Sequence, residues 1–338
     1  MRKIKNIVIA AAITAMAFSI TGCKMIEKTP EAIQKTVLAK VGGDKITMAD
    51  VNSELQADID YLTETYGEDY ENNIDDSLKE QLKKARKQVL EQLVNDEVLI
   101  TKGTELGYIP SDEELSTAIE QEKAKFTEAY GGEEGLKQAL EYYRMSDEKF
   151  NSFIENLVKT DKVKEAIIKD VTVTDEEVEQ YYNDNIDKYT VKAGANAKHI
   201  LFKTEEEAQS AKNKIDSGEA TFDEIYAQYE SNNNGSGTLP VSQDLGYVEN
   251  EQENYDKDFL AGFKTLKEGE ISAPVKSSFG YHIIKVEGVQ SEDSVKSFDE
   301  VKDSIKSTLL TEKQKEVYNS TLEQWKKDLN VKTYEDRL

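Results

Sequence analysis

Phe279-Gly-Tyr-His-Ile-Ile-Lys-Val286 and its earlier counterpart Ala197-Lys-His-Ile-Leu-Phe202 are short apolar runs, and each carries one of the chain's two histidines, His282 and His199. In an extended strand, side chains alternate between faces. That places His199 with Leu201 on one face, opposite Ile200 and Phe202, and groups His282 with Ile284 and Val286. Imidazole is the side chain whose ordinary pKa lies nearest neutrality, so a pair of them in apolar strands invites a chemical reading. From these residues alone, two satisfied core histidines explain the pattern better.

Between the two runs lie short helices and turns. Thr204-Glu-Glu-Glu207 and Thr221-Phe-Asp-Glu224 each have the form of a capping box opening a helix, with Gly218 as the stop of the first. Phe259, Phe263 and Leu266 mark a third short helix. Ile271-Ser-Ala-Pro-Val275 alternates like a strand and leads into the closing run. Residues 192–288 hold half of the chain's 18 glycines and two of its four prolines, Pro240 and Pro274.

This order resembles the parvulin family of peptidyl-prolyl isomerases. The resemblance is carried by His-Ile-Leu at 199–201, Gly-Glu-Ala-Thr-Phe at 218–222, Asp-Leu-Gly-Tyr at 244–247, Gly-Glu-Ile-Ser-Ala-Pro-Val at 269–275 and Phe-Gly-Tyr-His-Ile-Ile at 279–284. It implies a four-stranded antiparallel sheet with flanking helices. It also implies a site in which Leu245, Tyr255 and Phe259 line a pocket for the proline ring, while His199 and His282 form a hydrogen-bonded pair beneath it, joined by Ser277. Ordinary core packing remains the competing account of Leu245 and Phe259. Where the family usually has Asp or Cys after the second helix, this chain reads Ser231-Asn-Asn-Asn-Gly235, so Asn232 or Asn233 occupies that position and the site carries no charge there. The basic cluster of phosphate-directed parvulins is replaced by the mostly acidic Lys203-Thr-Glu-Glu-Glu207, which argues against recognition of a phosphorylated residue before proline.

The flanks are helical. Leu82, Val89, Leu90, Leu93, Val94 and Val98 recur at helical spacing, as do Val301, Ile305, Leu309, Val317, Leu322 and Trp325 near the C-terminus. The terminal helix needs a partner surface, so it is expected to pack back on the N-terminal helices and make the middle segment an insertion. The predicted organisation is a leader at 1–22, a tether at 23–35, a helical domain in two parts at 36–191 and 290–338, and an isomerase-like domain at 192–289. The fold class is α+β.

Arg2, Lys3 and Lys5 precede an apolar run from Ile7 to Ile20, the form of an export signal. Ile20-Thr-Gly-Cys23 resembles a bacterial lipobox, which implies that Cys23 is lipidated and anchors the protein to the outer face of the cell membrane, that of a Gram-positive cell. A two-chain lipid anchor suffices without a spanning helix. Lipobox and flanks together resemble the extracytoplasmic foldase lipoproteins of the PrsA type, with flanks like the chaperone domain of SurA-like proteins. The net charge is −24, and three cations in the leader leave −27 on the remainder, so nucleic acid and anionic lipid surfaces are repelled. Two histidines and one leader cysteine do not make a conventional metal site, and no phosphate-cradling loop is present, so no metal or cofactor is expected. The implied partners are unfolded secreted chains with Xaa-Pro bonds, and a homodimer stays open. Two functions compete: a prolyl isomerase that assists folding, and a slow or inert holdase that cradles clients.

Overall fold

The structure is a computed structural model and describes residues 30–338 except 234 and 236. The leader at 1–22, Cys23 and the tether as far as residue 29 lie outside the described residues. The sequence pattern runs the tether to residue 35, but Pro30–Gln34 is already a helical turn, and Ile33 packs against the first core. Described residues fall into two units, one running to Thr172 and resuming at Leu310–Leu338, the other Val173–Leu309.

The first unit opens with an antiparallel hairpin, β1 (Val37–Val41) and β2 (Asp44–Thr47). Thr47 then caps α1 (Met48–Glu54) in a reciprocal box with Asp50, which satisfies two N–H groups that a helix start leaves unpaired. There follow α2 (Gln56–Tyr66), α3 (Asp76–Glu105), α4 (Asp112–Ala129), α5 (Glu133–Tyr142) and α6 (Asp147–Ile168). On α3 the periodic Leu82, Val89, Leu90, Val94 and Val98 are all buried, while Leu93 is half-buried at the edge of the stripe. Gly103 brings α3 against α6, since a β-carbon there would meet Val163 Cγ2 at 2.2 Å.

The second unit begins with α7 (Asp175–Asp184), capped by Thr174 and Glu177, and continues through β3 (Thr190–Val191), β4 (Gly194–Phe202), α8 (Glu205–Asp216) and α9 (Phe222–Tyr229). β5 (Val241–Glu249), α10 (Lys257–Phe263), β6 (Val275–Ser277), β7 (Gly280–Gln290) and β8 (Ser294–Val295) complete it, together with the start of α11 (Phe298–Asp328). The sheet is antiparallel, in the order β5-β4-β7-β6. Both faces are covered. Ile200, Phe202 and Ile283 pack with Ala208, Ala211, Phe222 and Ile225 from α8 and α9, whereas Ala195, Ala197, Ile284 and Val286 pack with Phe259, Leu260 and Phe263 from α10. This is the alternation that a period of two demands.

Two features depart from the residue pattern. The strand expected over Ile271–Val275 is a single bridge from Ile271 to Lys285, and regular pairing starts only at Val275. Pro274 has no N–H to give a ladder. Ser272 instead donates its N–H to the Ile284 carbonyl at 2.8 Å and accepts the Ile284 N–H on Oγ at 2.9 Å. The compact unit is also wider than 192–289. β3 pairs with β8, and Tyr182 stacks on Tyr189, meets Phe298 edge-on and donates its hydroxyl to the Lys296 carbonyl.

Beyond Leu309 the chain re-enters the first unit. Leu322 and Trp325 share a core with Leu38, Val41, Leu90 and Val163, and β9 (Lys332–Thr333) pairs with β1 to give the order β2-β1-β9. Among the described residues, no helix is long and apolar enough to cross a membrane.

Candidate active site

The register of three strands assembles the site. His199 on β4 lies opposite Gln243 on β5 and opposite Ile284 on β7, while Leu201 lies opposite His282. His199 and His282 are therefore diagonal neighbours on one face, within reach of each other. Their rings stack with centroids 5.0 Å apart, and the two Nδ1 atoms approach to 2.8 Å. Each residue is only 4% exposed.

The remaining ring nitrogens are also occupied. His282 Nε2 lies 2.6 Å from Ser277 Oγ, which accepts the Phe279 N–H at 3.0 Å. His199 Nε2 lies 2.9 Å from Gln243 Oε1, and the Gln243 amide in turn donates to Asn233 Oδ1 at 3.2 Å. Burial holds the His199 pKa below its ordinary value. For His282, burial and the neighbouring His199 together push it down to about 3, against a smaller opposing pull from Asp256. Neither ring carries a charge at neutral pH.

Phe259 closes over the pair, edge-on to His199 at 5.8 Å and to His282 at 5.1 Å. It is itself stacked between Tyr255 and Phe263 and is 3% exposed. Leu245 and Tyr255 are half-buried against the same apolar cluster. The position of Leu245 has a specific cause. Ala197 pairs with Gly246 and Lys198 with Asp244, so Leu245 is the extra residue of a β-bulge, and Gly246 takes a φ of +64° to complete it. Bulges re-aim side chains in this way.

Of the residues singled out in the sequence, His199, His282, Ser277, Phe259, Leu245 and Tyr255 thus share one face of the sheet. Asn233 joins them through Gln243. Asn232 does not reach the pair, and its amide instead donates to the Pro240 carbonyl at 2.7 Å. Cys23 lies outside the described residues. Gln243 and Asp256 were not foreseen. Asp256 caps α10 by accepting the Asp258 and Phe259 N–H groups, and its other oxygen accepts both the N–H and the hydroxyl of Ser278. Those bonds, chiefly the ones from Ser278, lower its pKa to about 2. An acid three residues before the first periodic aromatic is the sequence signal of such a cap.

A neutral histidine pair under an apolar surface, on an antiparallel sheet with helices on both faces, defines a parvulin-class prolyl isomerase domain. Comparison with known proteins agrees. Residues 173–303 match the model of the PPIC-type peptidyl-prolyl isomerase domain, and residues 1–164 match that of the SurA-like N-terminal domain. The chain is 38% identical to the foldase protein PrsA of Clostridium perfringens over 339 aligned residues, covering 100% of this chain and 98% of that one. The PrsA foldase of Clostridium kluyveri is 36% identical, with 97% and 96% covered. The crystal structure of the PrsA peptidylprolyl isomerase from Bacillus anthracis is 28% identical, covering 72% of this chain and 99% of that one, with a TM-score of 0.25. The chain belongs to the PrsA foldase family.

Proposed function

We propose that this protein is a lipid-anchored extracytoplasmic foldase that catalyses cis–trans isomerisation of Xaa-Pro bonds in secreted chains and shelters them while they fold. One observation carries the catalytic part: the Nδ1-to-Nδ1 histidine pair lies directly beneath Phe259, on the face shared by half-buried Leu245 and Tyr255. The reaction breaks no covalent bond. Its barrier of about 18–20 kcal/mol is lost amide conjugation, so tighter binding of the twisted amide than of the planar one is sufficient. In this reading Leu245, Tyr255 and the Phe259 edge receive the proline ring, and the histidine network holds that surface rigid without moving protons. The helical unit supplies client binding, and Cys23, as the lipidated residue, supplies attachment to the outer face of the cell membrane.

The holdase alternative has an observation of its own. The side chains that extend the histidine network from β5 and the loop before it are amides, Gln243 and Asn233, and residues 231–235 include neither acid nor thiol. The two readings separate in a peptide assay on the mature chain. Isomerisation requires faster cis-to-trans conversion of a non-phosphorylated Xaa-Pro peptide, reduced by Phe259→Ala and His282→Ala. No acceleration, with client aggregation still suppressed, selects the holdase. Radiolabelled palmitate incorporation that survives Cys23→Ser would refute the anchor.

A further inference from the structure

The hydrogen-bond chain through the site could carry its protons in either direction, and its far end selects one. At one end Ser277 Oγ accepts the Phe279 backbone N–H and keeps a second lone pair, so the hydroxyl can either give a proton to His282 Nε2 or receive one from it. In one of these two arrangements the Ser277 hydroxyl gives its proton to His282 Nε2, 2.6 Å away. A neutral His282 with Nε2 bare carries its proton on Nδ1, which it gives to the bare Nδ1 of His199 across 2.8 Å. His199 must then hold its proton on Nε2, and the group it meets there is Gln243 Oε1, an acceptor, at 2.9 Å. At the far end Gln243 is held with Oε1 toward His199 because its amide nitrogen is given to Asn233 Oδ1 at 3.2 Å.

We propose that Gln243 is the positioning residue that fixes both histidine tautomers, receiving the His199 Nε2 proton and so holding the pair as His199 Nε2–H and His282 Nδ1–H. Register places it for this task, since Gln243 and His199 are direct cross-strand partners. β5 is also an edge strand, so Gln243 is half-buried and can be altered without opening the core. Without that acceptor, the Nδ1-to-Nδ1 bond could form with either ring donating, and the surface under Phe259 would alternate between two arrangements. This role rests on the isomerase reading only for its effect on rate.

The test uses the full mature chain, and only two imidazoles contribute to its spectrum. Nitrogen-15 spectra of the wild type should show one Nε2–H ring, assigned to His199, and one Nδ1–H ring, assigned to His282. In Gln243→Met, which keeps length and removes the acceptor, both rings should show averaged tautomers, and kcat/KM for Xaa-Pro isomerisation should fall roughly fivefold with an unchanged thermal midpoint. Gln243→Glu keeps an acceptor and should restore the single pattern. A wild type with the proton on His199 Nδ1, or a Gln243→Met protein that keeps the wild-type pattern, would overturn the proposal. A wild type without isomerase activity would overturn the functional reading alone, because the ring-nitrogen pattern of Gln243→Met still decides the positioning role.

Discussion

A buried imidazole pair joined through Nδ1 atoms takes an extra proton only by holding a charge cut off from water. Acid is therefore expected to act on this domain well above the carboxylate range. Both folded-state pKa values lie below the ordinary 6.5, His282 at about 3, so the unfolded chain takes up protons first as pH falls. The stability held by the neutral pair is fully present above about pH 6.5 and is lost progressively toward pH 3, to an extent of several kcal/mol. Amide hydrogen exchange in β4 and β7 should accelerate between about pH 7 and pH 5 once corrected for intrinsic rates. A flat corrected profile over that range would show that the pair does not resist protonation. At this scale the sequence was partly legible. Two histidines in apolar strands were visible as residues, and their faces followed from a period of two. Gln243 was not visible, because nothing local distinguishes a glutamine that meets a histidine across a ladder from one that meets water.

Elements whose ends are written in short-range chemistry were easy to read. The boxes at Thr204 and Thr221 both cap helices. β5 was harder, since Val241–Glu249 mixes Ser242, Gln243, Asp244 and Gly246 and carries a bulge that breaks alternation, so its pattern reads as part of a Gly-rich loop. β6 was displaced by Pro274 for the reason given by its missing N–H. Asp256 tests how the elements hold the site, because one carboxylate caps α10 and also secures the β6–β7 turn through Ser278. Asp256→Ala should destabilise the second unit by about 2 kcal/mol, the sum expected for a lost cap and a lost charge-assisted hydrogen bond, and should raise KM as Phe259 loosens. Urea unfolding followed at the second unit measures the first effect. A loss below about 0.5 kcal/mol would mean that the turn and helix are held by packing instead.

At the scale of the whole molecule, insertion was legible from the return of helical periodicity after the strand-rich segment, while the exact boundaries were not. They depend on Tyr182, Tyr189 and Phe298 meeting from distant parts of the sequence. The return also supplies a strand. Deleting residues 330–338 removes β9 together with the bonds from Tyr334 to Leu38 and from Arg337 to Val37. The first unit should then melt roughly 5 °C lower, reported by Trp325, the only tryptophan, which lies in that core. Hydrogen exchange in β4 and β7 should be unchanged, and a parallel loss there would contradict separate cores.

The pairing of β1 with β9 also sets an order of events. Ala39 meets Thr333, so β1 acquires its second neighbour only after the whole inserted unit has been made. Until then β1 has one bare edge, of the kind that recruits other chains. The inserted unit, whose strands are all contiguous within Val173–Leu309, has everything it needs earlier. Growth from the N-terminus thus makes the second unit the first that can finish, and the first unit closes last.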